Sequence, residues 1–327
     1  MKRIVELLFL SLIIMISCKK NEINITDSWE RYNSNPVFRD TVLNVSYDYE
    51  IASDAHVFLD EHSSLKMIYT GDIDEKVSIK LATGSSWSNW TKEKDLLYKP
   101  NVTGTDKYKE TAFYRKSSTG KHQIYYIGYN NEDTYEAQIF LAEADSFTGE
   151  YYQYPQPSVT KGMIAGKNVY CMTSPSILEY EGDLYMVFIG WNAPPKEVTE
   201  VWIIGAKSTD EGHSWSDFQL VDTKIGMEGQ VTKTPDGNFV AVRTGEYMNG
   251  EAIFYSTSSH PFGPWTESNE PILIQVGAPF EKDEIIAAQI TIDANTGKQY
   301  LFYTGADYLK GYWIMMANKR ITIANII

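Results

Sequence analysis

The sequence is poor in the residues that usually build disulfide frameworks and metal sites. It has only two cysteines and five histidines in 327 residues. It contains no HExxH motif, no CxxC pair and no glycine loop of the kind that cradles phosphates. We therefore expect neither a catalytic metal nor an organic cofactor, and the predicted fold must depend on its core rather than on cross-links.

Positive charge and long apolar runs are also scarce. The chain has 29 lysines and arginines against 43 aspartates and glutamates, for a net charge of −14. Such a chain is repelled by phosphate backbones and by anionic lipid surfaces, so we expect no nucleic-acid partner and no electrostatic membrane binding. The main apolar run, residues 7–16, is too short to span a bilayer.

That apolar run indicates where the chain is targeted in the cell. Basic residues precede it and a serine–cysteine pair follows it, an order typical of secretory signal peptides that resembles bacterial lipoproteins. We expect a signal peptide over 1–17, a lipid on Cys18, a polar tether over 18–28 and a folded domain over 29–327. The protein would then lie in the bacterial cell envelope, held to a membrane by lipid alone, with Cys171 as its one free thiol. The alternative is an ordinary signal peptide with a chance cysteine.

The sequence is rich in one repeated pattern. A strand of alternating polarity is followed by a turn and by a second strand that ends at a glycine, and copies recur every 55 to 62 residues. Alternation at period two predicts antiparallel sheet, and a regular repeat of this length is typical of propellers. With the strands that follow each glycine, we predict a five-bladed β-propeller with four-stranded antiparallel blades. The closing glycines are Gly71, Gly128, Gly190, Gly245 and Gly305.

The fifth copy lacks an outer strand before the C-terminus. Residues 29–40 have the sequence of an outer strand, so we predict that they share a sheet with residues 311–319 and close the ring. Closure would remove the exposed edge of an open sheet. The alternative is two independent β-domains. We expect a monomer.

One position of the repeat differs in chemistry from copy to copy. At the start of the five inner strands the alignment places Asp54, Glu110, Ser174, Glu228 and Ala287. A purely structural position would favour one residue type, so the variation indicates a ligand-facing site. Carboxylates facing each other across a cleft are the usual groups for glycoside hydrolysis. Alternatively, they cap strand ends or bind a structural cation in the channel.

These residues carry a resemblance to glycoside hydrolase family 43 and the related families 32, 62 and 68, over residues 29–319. The resemblance implies a catalytic base at Asp54, in the sequence S-D-A-H, and a general acid at Glu228, where Glu-Gly is kept and the following proline is lost. It also implies an inverting mechanism. The blade-three aspartate is replaced by Ser174, which still precedes a proline, and Glu110 is the candidate to take over as third carboxylate.

Five further residues are predicted to contact a carbohydrate: His56, Ser174, Trp191, Arg243 and Arg115. For the histidine the alternative is a hydrogen-bonded channel residue, and for the arginines it is an ion pair between blades. Two functions remain open. The retained acids favour a glycosidase, whereas the blade-three serine favours a non-catalytic glycan-binding lipoprotein on the same fold.

Overall fold

The fold was analysed in a computed structural model of the chain. The predicted signal peptide and Cys18 lie outside the residues that this structure describes. Their addressing role therefore stays a prediction. The described ranges are 24–40, 50–73, 76–221, 228–277 and 279–324.

The regular secondary structure of the described chain is β-strand with almost no helix, which confirms the all-β prediction. Its short helical turn, Pro195–Glu197, is of the 3₁₀ type. The strands in chain order are β1 (Asn24–Arg31), β2 (Glu50–Leu59), β3 (Leu65–Ile73), β4 (Lys76–Ser86), β5 (Asn89–Leu97), β6 (Tyr108–Lys116), β7 (His122–Tyr129), β8 (Gln138–Ala144), β9 (Tyr152–Gln153), β10 (Gly162–Ile164), β11 (Lys167–Val169), β12 (Cys171–Tyr180), β13 (Asp183–Trp191), β14 (Val201–Ser208), β15 (Ser216–Leu220), β16 (Gly229–Lys233), β17 (Phe239–Tyr247), β18 (Gly250–Ser258), β19 (Thr266–Glu267), β20 (Leu273–Ile274), β21 (Glu284–Ile292), β22 (Gln299–Asp307) and β23 (Gly311–Ala324).

The chain divides into two compact units. The larger unit is 29–319. The smaller unit combines 1–28 with 320–327, of which the structure describes 24–28 and 320–324. Strand β1 pairs with β23.

Within the larger unit the strands form five antiparallel meanders, in which each strand pairs with the next one along the chain. Meander 4 ends in two short strands that both pair with β18. A separate hairpin of β10 and β11 precedes meander 3. The meanders are 1 (β2–β5), 2 (β6–β9), 3 (β12–β15), 4 (β16–β20) and 5 (β21–β23).

The segment predicted to supply an outer strand lies beside β23. The N–H of Tyr32 donates to the carbonyl of Met316 at 2.9 Å, and the N–H of Val37 donates to that of Ile314 at 3.0 Å. Phe38 also pairs antiparallel with Ile314. Strand β23 further pairs in parallel with the start of β2. The same strand therefore contacts the N-terminal segment and the first meander.

The first strands of the meanders pack on one another in sequence order. Strand β2 contacts β6, β6 contacts β12, β12 contacts β16, β16 contacts β21, and β21 contacts β2. All five strands line one cavity of about 430 Å³. We call these five strands the inner strands, and their N-terminal ends carry the predicted carboxylates.

Three of the meanders contain a buried ionic group. In each, a tyrosine two residues before the closing glycine donates its hydroxyl to a buried carboxylate, which also pairs with a cation. Buried charges are tolerated when they are paired and hydrogen-bonded in this way. The three groups are Tyr69–Asp40–Lys80, Tyr126–Asp106–Lys109 and Tyr303–Glu281–Arg31.

Candidate active site

Four of the five inner strands carry a β-bulge where the predicted site lies. The register of each strand shifts there, and the first residue of the bulge has a positive φ between 48° and 53°. Bulges of this kind redirect side chains and are common beside active sites. The four residues are Asp54, Thr111, Ser174 and Ala287.

The bulges correct the alignment made from the sequence. Thr111, not Glu110, corresponds to Asp54. The two residues make equivalent contacts, since each donates its N–H to a threonine hydroxyl of the neighbouring meander at 3.1 Å. Glu110 lies one residue earlier, before the bulge. Strand β16 has no bulge, and Glu228 precedes it directly. Strands β2 and β6 carry the same bulge, so their register identifies the equivalent residues.

Asp54 is a buried carboxylate with several donors. Its side chain is 8% exposed, and the Ser53 hydroxyl donates to Oδ2 at 2.9 Å. The pKa of Asp54 is raised, because burial outweighs the hydrogen bonds from the side chains of Ser53, Thr70 and Thr111, which lower it. These hydroxyls stabilise the ionised form, which is the form that a general base requires.

Glu228 has the opposite environment. Among the described residues, its Oε2 atom finds no hydrogen-bond partner although it is shielded from solvent. Burial raises the pKa of Glu228 well above its ordinary value, and the charges of neighbouring carboxylates raise it further, with Asp54 first among them. A carboxyl that has one buried oxygen without a donor and is surrounded by negative charge holds its proton, as a general acid must.

Steric crowding explains why the residue after Glu228 is a glycine. A Cβ atom at Gly229 would lie 1.9 Å from the carbonyl oxygen of Val242 on β17. Only glycine lets the start of β16 approach β17 so closely. The Thr244 N–H donates to the carbonyl of Glu228 at 2.8 Å, which fixes the backbone of the acid. The Glu-Gly pair is thus a packing requirement that places the carboxyl.

Glu110 is held by two tyrosines. The Tyr129 hydroxyl donates to Oε1 at 2.5 Å and the Tyr135 hydroxyl donates to Oε2 at 2.9 Å. Burial, followed by the charge of Asp54, raises the pKa of Glu110 to about 7, against the lowering effect of the tyrosines. Glu110 therefore belongs to the same carboxylate cluster as Asp54 and Glu228.

Two more carboxylates belong to this cluster and were missed in the sequence. Glu284 begins β21, and Glu251 lies near the start of β18. Burial raises the pKa of Glu284, and it raises that of Glu251 to about 7. Oε2 of Glu251 accepts the N–H of Ile285 at 2.8 Å, which links the two positions. The acidic stretch before the fifth inner strand was the signal available for Glu284.

His56 lies two residues beyond Asp54, deeper among the inner strands. Its Nδ1 is 3.0 Å from Oε1 of Gln230 and 3.1 Å from Nε2 of Gln289. Its ring packs on Phe113 at 4.2 Å between centroids. Burial lowers the pKa of His56 to about 4, so the ring is neutral near pH 7. These contacts correspond to the hydrogen-bonded channel residue that the sequence left open.

Ser174 and Trp191 lie close to the cluster in different ways. The Ser174 hydroxyl accepts the N–H of Gly229 at 3.4 Å, directly beside Glu228. Trp191 is 4% exposed, and its ring lies nearly parallel to that of Tyr135, with centroids 6.3 Å apart. Trp191 thus packs behind the tyrosine that holds Glu110 and offers little open ring face to a sugar.

Both arginines form ion pairs. Arg115 reaches from meander 2 to Glu179 at 3.0 Å and to Glu211 at 3.4 Å on meander 3. This is the ion pair between blades that was the alternative interpretation. Arg243 pairs with Glu267 at 2.5 Å inside meander 4.

The position of Arg243 explains its role. It stands two residues before the closing glycine, where other meanders have the buried tyrosines of the ionic groups, and it is itself buried. Its side chain is therefore directed into the meander stack.

Within the ranges that the structure describes, no group of three or more His, Cys, Asp or Glu side chains is arranged to hold a metal ion. In the same ranges, no helix is long and apolar enough to cross a membrane.

No family model matches the sequence, and no curated protein matches it. Solved structures do share its fold. A thermostable family-43 glycoside hydrolase has a TM-score of 0.62 at 16% identity, over 84% of this chain and 91% of the other. The GH43_1 enzyme from Xanthomonas citri, solved with xylose, has a TM-score of 0.61 at 17% identity, over 84% and 90%.

A third structure comes from the GH130 family of mannoside phosphorylases, which contains glycoside hydrolases that target β-1,2 mannosidic linkages in Candida mannan. It has a TM-score of 0.63 at 16% identity, over 88% of this chain and 93% of the other. At these identities the likeness concerns the fold, and it confirms the predicted resemblance at that level. This chain has the β-propeller fold of the glycoside hydrolases of families 43 and 130.

Proposed function

We propose that the protein is an inverting glycosidase in which Glu228 is the general acid and Asp54 the general base. The observation that carries this proposal is the contrast between the two carboxyls. Three hydroxyl side chains hydrogen-bond to Asp54, whereas Oε2 of Glu228 has no partner among the described residues. The donors make Asp54 the easier of the two carboxyls to ionise, and its charge then helps Glu228 to keep its proton, which is the division that acid–base hydrolysis of a glycoside needs.

In this mechanism the Glu228 carboxyl donates its proton to the glycosidic oxygen as the bond to the anomeric carbon breaks. Asp54 accepts a proton from a water that attacks the anomeric carbon from the opposite face. Inversion requires the two carboxyls to lie roughly 6.5–9.5 Å apart. Strands β2 and β16 both pack on β21, so the two carboxyls come from different meanders, and their separation in a crystal structure would test this requirement.

The substrate is proposed to be an uncharged polysaccharide or oligosaccharide. The charges that raise the pKa of Glu228 come from carboxylates. The two arginines that could have anchored an acidic sugar are instead paired with Glu179, Glu211 and Glu267. A uronate or sulfated glycan would therefore meet like charge at the site.

The test is turnover by Glu228→Gln and Asp54→Asn on a panel of glycans, with detection of reducing sugar and of the product anomer by NMR. Each variant should lose turnover by at least about 100-fold, because each lacks its proton-transfer group. Its thermal midpoint should not fall. Glu197→Gln, an exposed change in the 3₁₀ turn, is the matched control. Normal rates in both site variants would exclude this assignment.

A second function, glycan binding without catalysis, is favoured by one observation. Ser174 occupies the bulge beside Glu228 where the family resemblance implies an aspartate. The glycan panel separates the two functions, since a binding protein would retain bound oligosaccharide in calorimetry and release no reducing sugar.

The five meanders are proposed to be the five blades of one propeller, closed by residues 29–40. The cyclic contacts of the inner strands and the cavity that all five line support this arrangement. A crystal structure in which residues 29–40 leave β23, or in which a sixth blade appears, would contradict it.

The cellular location of the protein is proposed from the sequence. Cys18 would carry lipid and anchor a monomer to the bacterial cell envelope, with residues 18–28 as tether. Mass spectrometry of the membrane fraction should find a mature chain that begins at modified Cys18. A soluble product that starts elsewhere would refute the anchor.

A further inference from the structure

The fifth meander places a carboxylate between the strands of the proposed acid and base. Strand β21 packs on both β16 and β2. Glu284, its first residue, is therefore on a strand that adjoins the one following Glu228. Glu110 is on β6, which is separated from β16 by β12. In meander 3, the other neighbour of β16, the bulge residue is the uncharged Ser174.

The structure holds Glu284 in place from several directions. It pairs with Ala306 across the sheet, and the side chain of Tyr308 hydrogen-bonds to its carboxyl. The next backbone N–H, that of Ile285, donates to Glu251 at 2.8 Å. A carboxylate fixed by two strands and a tyrosine can exert a defined electrostatic effect on its neighbours.

We propose that Glu284 supplies the negative charge that keeps Glu228 protonated. It would do so in place of the blade-three aspartate that the family resemblance implies and that Ser174 replaces. Glu284 would act through Glu228 and would not touch the reacting atoms, so it is a positioning residue. The inference rests on the proposed function, because it assigns a purpose to the protonated state of Glu228.

The charges around Glu228 agree with this order. Asp54 raises the pKa of Glu228 most among the charged groups, Glu284 follows, and Glu110 and Glu251 come after them. Asp54 loses its charge when it accepts the proton of the attacking water, whereas Glu284 takes no part in proton transfer, so Glu284 adds a charge that stays in place through the reaction.

In the part of the chain that the structure describes, the groups that act on Glu284 are carboxylates and a tyrosine. Burial raises the pKa of Glu284, the Tyr308 hydrogen bond lowers it, and Asp54 and Asp283 raise it further. Glu251 lies on the adjoining meander, where Glu284 in turn raises the pKa of Glu251. The tyrosine thus favours the ionised form of Glu284, which is the form that the proposal needs.

The proton affinity of Glu228 can be measured without any substrate. Purified protein carrying ¹³C at the glutamate side-chain carboxyl carbons is titrated by NMR from about pH 4 to about pH 10, and Glu228→Gln identifies the Glu228 signal. Glu284→Gln should lower the Glu228 midpoint by about 1 pH unit or more, because a like charge is removed. Glu110→Gln should lower it less.

Glu246→Gln is the matched control, since Glu246 is exposed on β17 and pairs across the sheet with Glu251. It should leave the Glu228 midpoint unchanged. The proposal is overturned if Glu284→Gln leaves the midpoint in place, or lowers it no more than Glu110→Gln does. The proposed function fails by a different result, retained turnover in Glu228→Gln, so the two outcomes are distinguishable. Where turnover is observed, the basic limb of its pH profile should move to lower pH in Glu284→Gln.

Discussion

Glu110 provides a quantitative test of the carboxylate cluster. Its pKa is about 7 in the folded protein against an ordinary value of 4.5. The folded state therefore binds this proton more tightly than the unfolded state does. The resulting stability is complete below about pH 4.5 and is lost as the pH rises through about 7. At 1.36 kcal/mol per pH unit, the loss is at most about 3 kcal/mol.

Glu110→Gln should abolish this loss. The amide has the size of the carboxyl, and its oxygen and NH₂ group can still hydrogen-bond to the hydroxyls of Tyr129 and Tyr135. Relative to wild type, the variant should therefore gain stability between about pH 4 and about pH 8, by up to about 3 kcal/mol. The gain should be smaller than this limit if Asp54 takes up part of the proton binding.

The assay is urea unfolding of both proteins at the two pH values, with the free energy of unfolding compared at each. Glu197→Gln, an exposed change outside the cluster, should give the same difference from wild type at both pH values. The reasoning is refuted if the difference between Glu110→Gln and wild type does not change with pH. That result would mean that burial does not oppose the ionisation of the Glu110 carboxyl.

Three further variants test the assignments in the rest of the fold. Arg243→Gln should lower the free energy of unfolding by about 1.5–3 kcal/mol because it removes the ion pair between the buried guanidinium and Glu267, while KM stays unchanged. A raised KM with normal stability would instead support the substrate-binding role. Lys80→Met should destabilise the protein by breaking its buried pair with Asp40, by less than about 3 kcal/mol because Lys92 still pairs with Asp40, and unaltered urea unfolding would contradict this. Ser174→Asp, at a φ that aspartate tolerates, should shift the basic limb of the activity profile to higher pH, and an unmoved limb would show that this position does not reach the acid.

The fold follows from the sequence because its determinants are local and repeated. Alternation at period two and a glycine at every 55 to 62 residues predict antiparallel meanders without any long-range information. The pairing of residues 29–40 with β23 could be predicted because the fifth copy lacked a strand that this segment supplies. The bulges could not be predicted in this way. Each adds one residue to a single strand, and this changes the register but not the polarity pattern.

The site was predictable only in part, for the same reason. Asp54 and Glu228 are predicted from motifs that include their neighbours in sequence, and the structure places both in the carboxylate cluster. In β21, Ile286 has the register position that Ser53 has in β2, and Glu284 lies two residues before Ile286. An alignment of the inner strands therefore does not place Glu284 with the other acids. Arg243 was assigned to a ligand because its charge is unusual in a strand. The buried tyrosines at the same position of other meanders show that its partner lies inside the sheet.

The loss of the blade-three carboxylate does not by itself argue for a protein without catalysis. In a ring of inner strands, β16 has two neighbours, and a negative charge on either one can act on Glu228. Ser174 removes the charge from one side, and Glu284 provides one on the other. What the acid requires is a low-dielectric position near an ionised carboxylate, and no particular blade has to supply it. The Glu228 midpoint in Ser174→Asp combined with Glu284→Gln would decide the point. A midpoint near that of wild type would mean that the two positions are interchangeable, and a midpoint as low as that of Glu284→Gln alone would mean that they are not.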